Sequence, residues 1–291
     1  MSNVLKLALP KGRMQEGVTA LMADAGIKLR AGSRGYRPHV SMPGIEAKIL
    51  KPQSIVEMLR AGSRDVGFAG ADWVAELGAT DSLVELVDTE MDPVRLVAAA
   101  PTEMLSGGKL RTDLGRPLVV ASEYGHLTRT WIAKNSPGAI FVHSYGATEV
   151  FPPEDADCIV DNTASGATLA ANGLEIIDEL MRSSTRMYAN PRALDVPEKR
   201  EIVDRLIMLL RSVLEARKRV MLEMNVTPDA FETICAALPC MREPTVSPLH
   251  GNAGFAVKAA VPRNTLPQLI PELKALGATD IVVSALGQIV P

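Results

Sequence analysis

The chain has 291 residues, 47% hydrophobic and 22% charged, which suits a soluble globular protein of about two domains. Its net charge of -3 argues against a nucleic-acid binder, whose electrostatic footprint is basic. Three cysteines, Cys158, Cys235 and Cys240, give neither a disulfide framework nor zinc-ligand spacing. No segment approaches the roughly 18 apolar residues of a membrane span, and the opening MSNVLKLALPKGR lacks the order of a secretion signal. The reading is therefore a cytoplasmic protein that binds neither nucleic acid nor membrane.

Apolar runs and turn residues predict the elements. Val4 to Leu9 reads as a strand closed by Pro10 and Gly12, and Gln15 to Ala25 as a helix stopped by Gly26. Ala47 to Leu50 is a strand, and Ser54 is a candidate cap for a helix running through Arg60. Val66 to Ala69 is a buried strand with a helix from Asp72 to Glu76. Leu83 to Val87 and Arg95 to Ala100 read as two further strands. Strands at Leu118 to Ala121, Ile140 to His143 and Cys158 to Val160 follow, with helices at Leu127 to Lys134 and from Gly166 to Asn172. This alternation predicts α/β architecture with mostly parallel sheets. From Glu201 to Arg217 one long amphipathic helix intervenes. Beyond it the order strand, helix, strand, strand, helix, strand, ending at Ile281 to Ser284, is that of a ferredoxin-like domain.

The segment Cys158-Ile-Val-Asp161-Asn-Thr-Ala-Ser165-Gly166-Ala-Thr168-Leu169 joins a strand, a carboxylate, a loop of small residues and a helix start. Small side chains at Ala164, Ser165, Gly166 and Ala167 let backbone N–H groups approach an anion at a helix N-terminus. Ser165 and Thr168 add hydroxyls, and Asp161 can accept hydrogen bonds from two ribose hydroxyls. As pattern alone, the segment fits an ordinary strand–turn–helix with a Ser or Thr cap equally well. Lys11-Gly12-Arg13 follows the first strand and Lys51 follows another; on charge alone these are solvated basic turns.

Several ordered blocks give a resemblance to a known family. DNTASGATLAANGL, LALPKGR, DVGFAGADWV, RLVAAAP, VASEYGHLTR and EPTVSPLHG together resemble ATP phosphoribosyltransferase in its long, feedback-regulated form, over nearly the whole chain. In the loop, Asn162, Thr163, Ala164 and Ala167 stand where Ile/Leu, Val/Leu, Ser and often Thr are usual, and Met91-Asp92-Pro93-Val94 replaces a Gly/Cys-containing approach to Arg95.

The resemblance implies a two-lobe, periplasmic-binding-protein-like catalytic core. Lobe I would hold residues 1–92 and 178–211, lobe II residues 93–177, and residues 212–291 an ACT-like, ferredoxin-like regulatory domain. Phosphoribosyl pyrophosphate would meet Asp161, Ala164, Ser165, Gly166, Ala167, Thr168 and Glu149. ATP would meet Lys11, Gly12, Arg13, Asp65, Gly67 and Gly70, and Lys11, Arg13 and Lys51 would act electrostatically, without a covalent catalyst. Mg2+ would travel with pyrophosphate, and no protein ligand to the metal is singled out. L-histidine would act as inhibitor, with Thr245 and Ser247 as candidate contacts. Dimers assembling into hexamers are implied, with no obligate regulatory subunit. Two other classes fit the residues: a ligand-sensing protein of the same two-lobe fold, and a sugar-phosphate transferase acting on another base.

Overall fold

The computed structural model describes residues 3–30, 35–111 and 113–290. The chain divides into two compact units, residues 1–20 with 28–204 and residues 21–27 with 205–291.

In the larger unit, strand β1 (Leu5–Pro10) leads to helix α1 (Arg13–Asp24), a short ribbon β2 (Leu29–Arg30) and β3 (His39–Val40), and strand β4 (Ile45–Leu50). Helix α2 (Pro52–Arg60), strand β5 (Val66–Gly70) and helix α3 (Ala71–Glu76) follow. Strand β6 (Val84–Pro101) is next, then a second ribbon, β7 (Leu105–Ser106) with β8 (Lys109–Leu110). Strand β9 (Val119–Ser122), helix α4 (Gly125–Asn135), strands β10 (Ile140–His143) and β11 (Cys158–Thr163), and the short helix α5 (Ala167–Ala171) precede strand β12 (Leu174–Ala189). Helix α6 (Pro191–Leu194) follows, and helix α7 (Pro197–Lys218) begins in this unit and continues into the smaller one after residue 204.

One sheet in the order β10-β9-β11-β6-β12-β5-β1-β4 carries the unit. Parallel pairing is confined to the flanks, β4-β1-β5 and β10-β9-β11. The expected mostly parallel sheet is therefore a mixed one, because β6 and β12 pair antiparallel through its centre. The two strands expected at Leu83 to Val87 and Arg95 to Ala100 are one strand, and β12 was not foreseen at all. Each flank hangs on one half of the β6–β12 ribbon. β5 pairs with Thr185 to Ala189, and β11 pairs with Arg95 to Ala99. This gives two lobes.

Local sequence explains the flanks. β5 is buried at every position, as a strand covered on both faces requires. α2 buries Ile55, Val56 and Leu59, the spacing of one helical face. Ser54 does not cap it; Lys51 holds the N-cap position and Pro52 opens the helix, its missing N–H being one that a first turn leaves unused. Ile55, Val56 and Leu59 pack with Ala8 and Ala69 beneath.

The smaller unit contains strand β13 (Arg219–Val226), helix α8 (Phe231–Ala237), strands β14 (Thr245–Pro248) and β15 (Phe255–Pro262), helix α9 (Leu266–Ala275) and strand β16 (Thr279–Ala285). The sheet order is β14-β15-β13-β16, antiparallel throughout, which is the ferredoxin-like arrangement expected. β13 alternates strictly, and Val220, Leu222 and Met224 pack against Ile234, Leu269 and Leu273 of the two helices. On the other face Glu223 and Lys258 form an ion pair at 2.7 Å.

Among the described residues no helix is long and apolar enough to cross a membrane.

Gly67 is a packing position. A Cβ there would lie 2.7 Å from Ile55 Cγ2 and 3.0 Å from Ala8 Cβ. Gly67→Ala should therefore cost about 1–3 kcal/mol by overpacking, read as a lower denaturant midpoint with an unchanged m-value.

Candidate active site

Strand direction decides where chemistry can gather. β1, β4 and β5 run toward the middle of the β6–β12 ribbon, and β11 runs toward the same middle from the other side. Gly70, the last residue of β5, is level with Thr185 and so with Met91, while Thr163, the last of β11, is level with Arg95. Four residues of strand span roughly 13 Å. The C-terminal ends of both flanks thus face one junction, the usual place for ligands in α/β proteins.

On the first lobe that edge is cationic. Lys11 follows β1 and Lys51 follows β4, and their strands end in register at Pro10 and Leu50. Lys11 N–H donates to the Leu50 carbonyl at 2.8 Å. Gly12 takes φ +89°, and the turn leads straight into Arg13, the first residue of α1. All three cations are exposed. Lys11 Nζ donates to the Tyr36 hydroxyl at 3.0 Å and lies 5.0 Å above its ring centre. That hydrogen bond and charge pull the Tyr36 phenol below its ordinary value. Tyr36 was not singled out from the sequence.

Three further sequence candidates lie on or beside β5. Asp65 precedes the strand, at its opposite end, beside Lys6. Its buried carboxylate accepts from Lys6 N–H at 2.7 Å and pairs with Lys199 Nζ at 2.8 Å. It ties the strand start to the start of α7. Gly67 gives room to Ile55, not to a ligand. Gly70 does lie at the C-terminal end, but the space its missing Cβ leaves is taken by the Asp72 carboxylate and the Ser183 hydroxyl.

On the second lobe, β11 delivers Asp161 to the junction. Burial pushes its carboxyl up to about 6, and the neighbouring charges of Glu149 and Glu123 add to the rise; the Asn162 N–H, donating to Asp161 Oδ1 at 2.7 Å, opposes it. The loop after it is partly self-satisfied. Gly166 N–H donates to Thr163 Oγ1 at 3.0 Å and Ala167 N–H to Ser165 Oγ at 3.3 Å. Gly166 takes φ +85°, which only glycine adopts without strain. Ala164, Ser165, Ala167 and Thr168 are exposed on the loop. An anion settling here would replace the long Ser165 bond and meet the Ser165 and Thr168 hydroxyls.

A buried polar group joins the two lobes. The Tyr124 hydroxyl donates to Asp72 Oδ2 at 2.7 Å and accepts from Asn162 Nδ2 at 3.0 Å, while Ser183 donates to Asp72 Oδ1 at 2.8 Å. Trp73 stacks on Tyr124 with ring centres 4.7 Å apart. Helix α4 lacks a side-chain cap of its own, and Glu76 supplies one by accepting from His126 and Leu127 N–H at 2.9–3.1 Å. The sequence held one signal for this: Tyr124-Gly125 offers no capping side chain to α4, so an acceptor had to come from elsewhere.

In the smaller unit Thr245 and Ser247 stand two apart on β14, hence on one face, and both are exposed. Two concavities of about 360 Å³ each are lined by Thr245 and Lys258, one of them also by Ser247, Glu223, Asn225 and Asp280.

Because Asp161 holds its proton more tightly folded than unfolded, stability falls as pH rises from about 4 to about 6 and stays lowered above that window. Asp161→Asn should therefore raise the thermal midpoint at pH 7.5, by up to about 2–3 kcal/mol of stability, with the gain shrinking toward pH 4. A midpoint at pH 7.5 no higher than the parent's would show that the carboxylate is not strained there.

The family model described as ATP phosphoribosyltransferase matches residues 51–212, and that for the HisG C-terminal domain matches residues 216–288. The ATP phosphoribosyltransferase of Pelodictyon phaeoclathratiforme is 37% identical over 97% of this chain and 96% of its own. That of Pelotomaculum thermopropionicum is 37% identical over 99% of both. Among solved structures, the ATP phosphoribosyl transferase (HisG:HisZ) complex from Thermotoga maritima matches with TM-score 0.62 and 25% identity, over 72% of this chain and 99% of that one.

Proposed function

Because the chain belongs to the ATP phosphoribosyltransferase family, pentosyltransferases of histidine biosynthesis, we propose that it transfers the phosphoribosyl group of phosphoribosyl pyrophosphate to N1 of ATP and releases pyrophosphate. The observation that carries this reading is the junction itself: a cationic strand edge on one lobe faces a carboxylate and small-residue loop on the other.

The residues divide the work by charge. Asp161 accepts hydrogen bonds from the ribose hydroxyls, with Glu149 beside it, and Ala164, Ser165, Gly166, Ala167 and Thr168 receive the 5′-phosphate. Lys11, Arg13 and Lys51 meet the phosphates of ATP and of the leaving pyrophosphate, with Gly12 allowing close approach. As adenine N1 attacks C1, positive charge grows on the sugar and negative charge on pyrophosphate. The reaction inverts that carbon and uses no protein nucleophile; alignment and fixed charges supply the catalysis. Among the described residues, no group of three His, Cys, Asp or Glu is arranged to hold a metal ion. In this reading Mg2+ enters with the pyrophosphate substrate and would neutralise the leaving group.

We assign lobe I to residues 1–92 and 178–211, lobe II to residues 93–177 and a histidine-sensing domain to residues 212–291. The antiparallel sheet of the smaller unit and the match of residues 216–288 support the last assignment. Thr245 and Ser247, beside concave surfaces carrying Lys258 and Glu223, offer hydroxyls and charges of both signs to an amino acid. Inhibition requires histidine to bind a less active state more tightly. Assembly into homodimers and hexamers in the cytoplasm, without a separate regulatory subunit, belongs to the same reading.

Incubation with ATP plus phosphoribosyl pyrophosphate should release pyrophosphate, and Asp161→Ala should weaken phosphoribosyl pyrophosphate binding by roughly 1.5–3 kcal/mol; calorimetry giving unchanged affinity would remove Asp161 from the site. Activity should fall with rising histidine, and Thr245→Ala should shift that curve to higher concentration. Indifference of the full chain to millimolar histidine would overturn the regulatory part alone.

A further inference from the structure

We infer that Tyr124, Asn162 and Asp72 form one positioning relay that holds the Asp161 strand end in register with the first lobe. The inference rests on the phosphoribosyl-transfer reading above and deepens it.

The polarity of the relay is fixed by chemistry. Asp72 is buried, and its two oxygens take the Tyr124 and Ser183 hydroxyls, so a carboxylate that only accepts stands at one end. Tyr124 is wholly buried, and burial together with the Asp72 charge raises its phenol far above the ordinary value, so its proton stays on and points to Asp72. Its oxygen then has only acceptor capacity left. The Asn162 side chain must present its NH₂ to Tyr124, as it does at 3.0 Å, which leaves its carbonyl oxygen turned away. The same residue's backbone N–H holds Asp161 Oδ1 at 2.7 Å. Side chain and main chain of Asn162 are thus both anchored, one to the first lobe through Tyr124 and one to the Asp161 carboxylate.

The relay depends on the side chain at position 162. Position 162 carries Asn where the family resemblance leads to Ile or Leu, and an aliphatic side chain could not donate to Tyr124. None of the three needs to touch substrate. Tyr124 is additionally held by Trp73 and by the Ser122 hydroxyl, which accepts Tyr124 N–H at 2.9 Å, so its ring keeps its place when the hydroxyl alone is removed.

The test is a double-mutant cycle on the full chain with Tyr124→Phe, Asn162→Leu and the pair, read by pyrophosphate release with phosphoribosyl pyrophosphate varied at saturating ATP. Each single variant should lower kcat/KM for phosphoribosyl pyrophosphate by about 5- to 100-fold, the range set by one buried hydrogen bond left unmade. The double variant should be no worse than the more damaged single one, because both cut the same chain. KM for ATP should stay within about twofold, which separates positioning of the loop from general damage. Wild-type kinetics in Asn162→Leu, or losses that multiply in the double variant, would overturn the relay while leaving the transferase reading intact. Should Tyr124→Phe fail to fold, Asn162→Leu alone still decides: unchanged kcat/KM refutes the relay, and a selective loss for phosphoribosyl pyrophosphate supports it. Absence of pyrophosphate release by the parent chain would remove the functional reading and the relay with it.

Discussion

The pairing of β6 with β12 joins strands of 18 and 16 residues, and both flanks of the larger sheet are attached to this ribbon. A two-stranded ribbon is marginal by itself in water, so each half depends on the flank that extends it. The middle of the ribbon is where neither flank helps. There Glu90 and Asp92 take φ of +57° and +48°, a region that costs a non-glycine residue about 1–2 kcal/mol, and the register slips between Ser183 and Thr185. Local bonds offset the cost: Thr89 Oγ1 donates to the Thr185 carbonyl and Thr185 Oγ1 to Asp92 Oδ2 at 2.8 Å. Of the register shifts along β12, the one between Ser183 and Thr185 falls between the levels at which β5 and β11 end. The ribbon therefore fixes both the separation of the two lobes and the place where their strand ends meet.

A junction made this way has to bury polar groups, since strand ends present backbone and capping side chains rather than apolar faces. Asp72, Tyr124 and Ser183 lie inside, where an unpaired hydroxyl or carboxylate would cost several kcal/mol. They satisfy one another, so the cost is met locally and the geometry becomes specific. The apolar layers on each side do a different job. Ala8, Ile55 and Leu59 pack under the first lobe, and Leu96, Val120 and Val160 under the second. Burial of those side chains supplies the stability, and the polar contacts choose one arrangement among those the apolar layers would tolerate.

Much of this was legible in the sequence where one local rule sufficed. The smaller unit reads almost residue by residue, because β13 alternates strictly and Gly and Pro punctuate the rest. The Asp161 loop was legible because strand, small residues and helix start adjoin in the chain. β12 was not. Leu174-Glu-Ile-Ile-Asp-Glu-Leu-Met mixes good helix formers (Leu, Glu, Met) with Ile and Asp, its register shifts erase the period of two, and pairing with β6 decides its state. For the same reason β6 reads as two strands: Asp92-Pro93 looks like a break and is a bend within one strand. Asp65 is a different case. It borders a glycine-containing strand–helix turn, yet strand direction sets it at the far end, and its partner Lys199 lies 134 residues along the chain. No local pattern carries such a pairing.

Charge separates the two halves of the site as cleanly as the topology does. The net charge of the chain is -3, so the positive edge of Lys11, Arg13 and Lys51 is a local feature against an acidic background. Opposite it stand Asp161, Glu149 and Glu123. In the proposed reaction the triphosphate of ATP and the pyrophosphate of the second substrate carry most of the negative charge, and the ribose hydroxyls are neutral. The triphosphate and pyrophosphate are drawn to the cations, the 5′-phosphate to the backbone N–H groups of the small-residue loop, and the ribose hydroxyls to the carboxylate. The raised Asp161 value sharpens this. A carboxylate made costly to ionise by burial gains most from donors that arrive with the ligand, so ribose hydroxyls would lower its pKa on binding. By linkage, the affinity for the ribose group must then weaken as pH falls through about 6. In the proposed reaction, the acidic cluster that raises the Asp161 value would thus make ribose hydroxyls favourable partners.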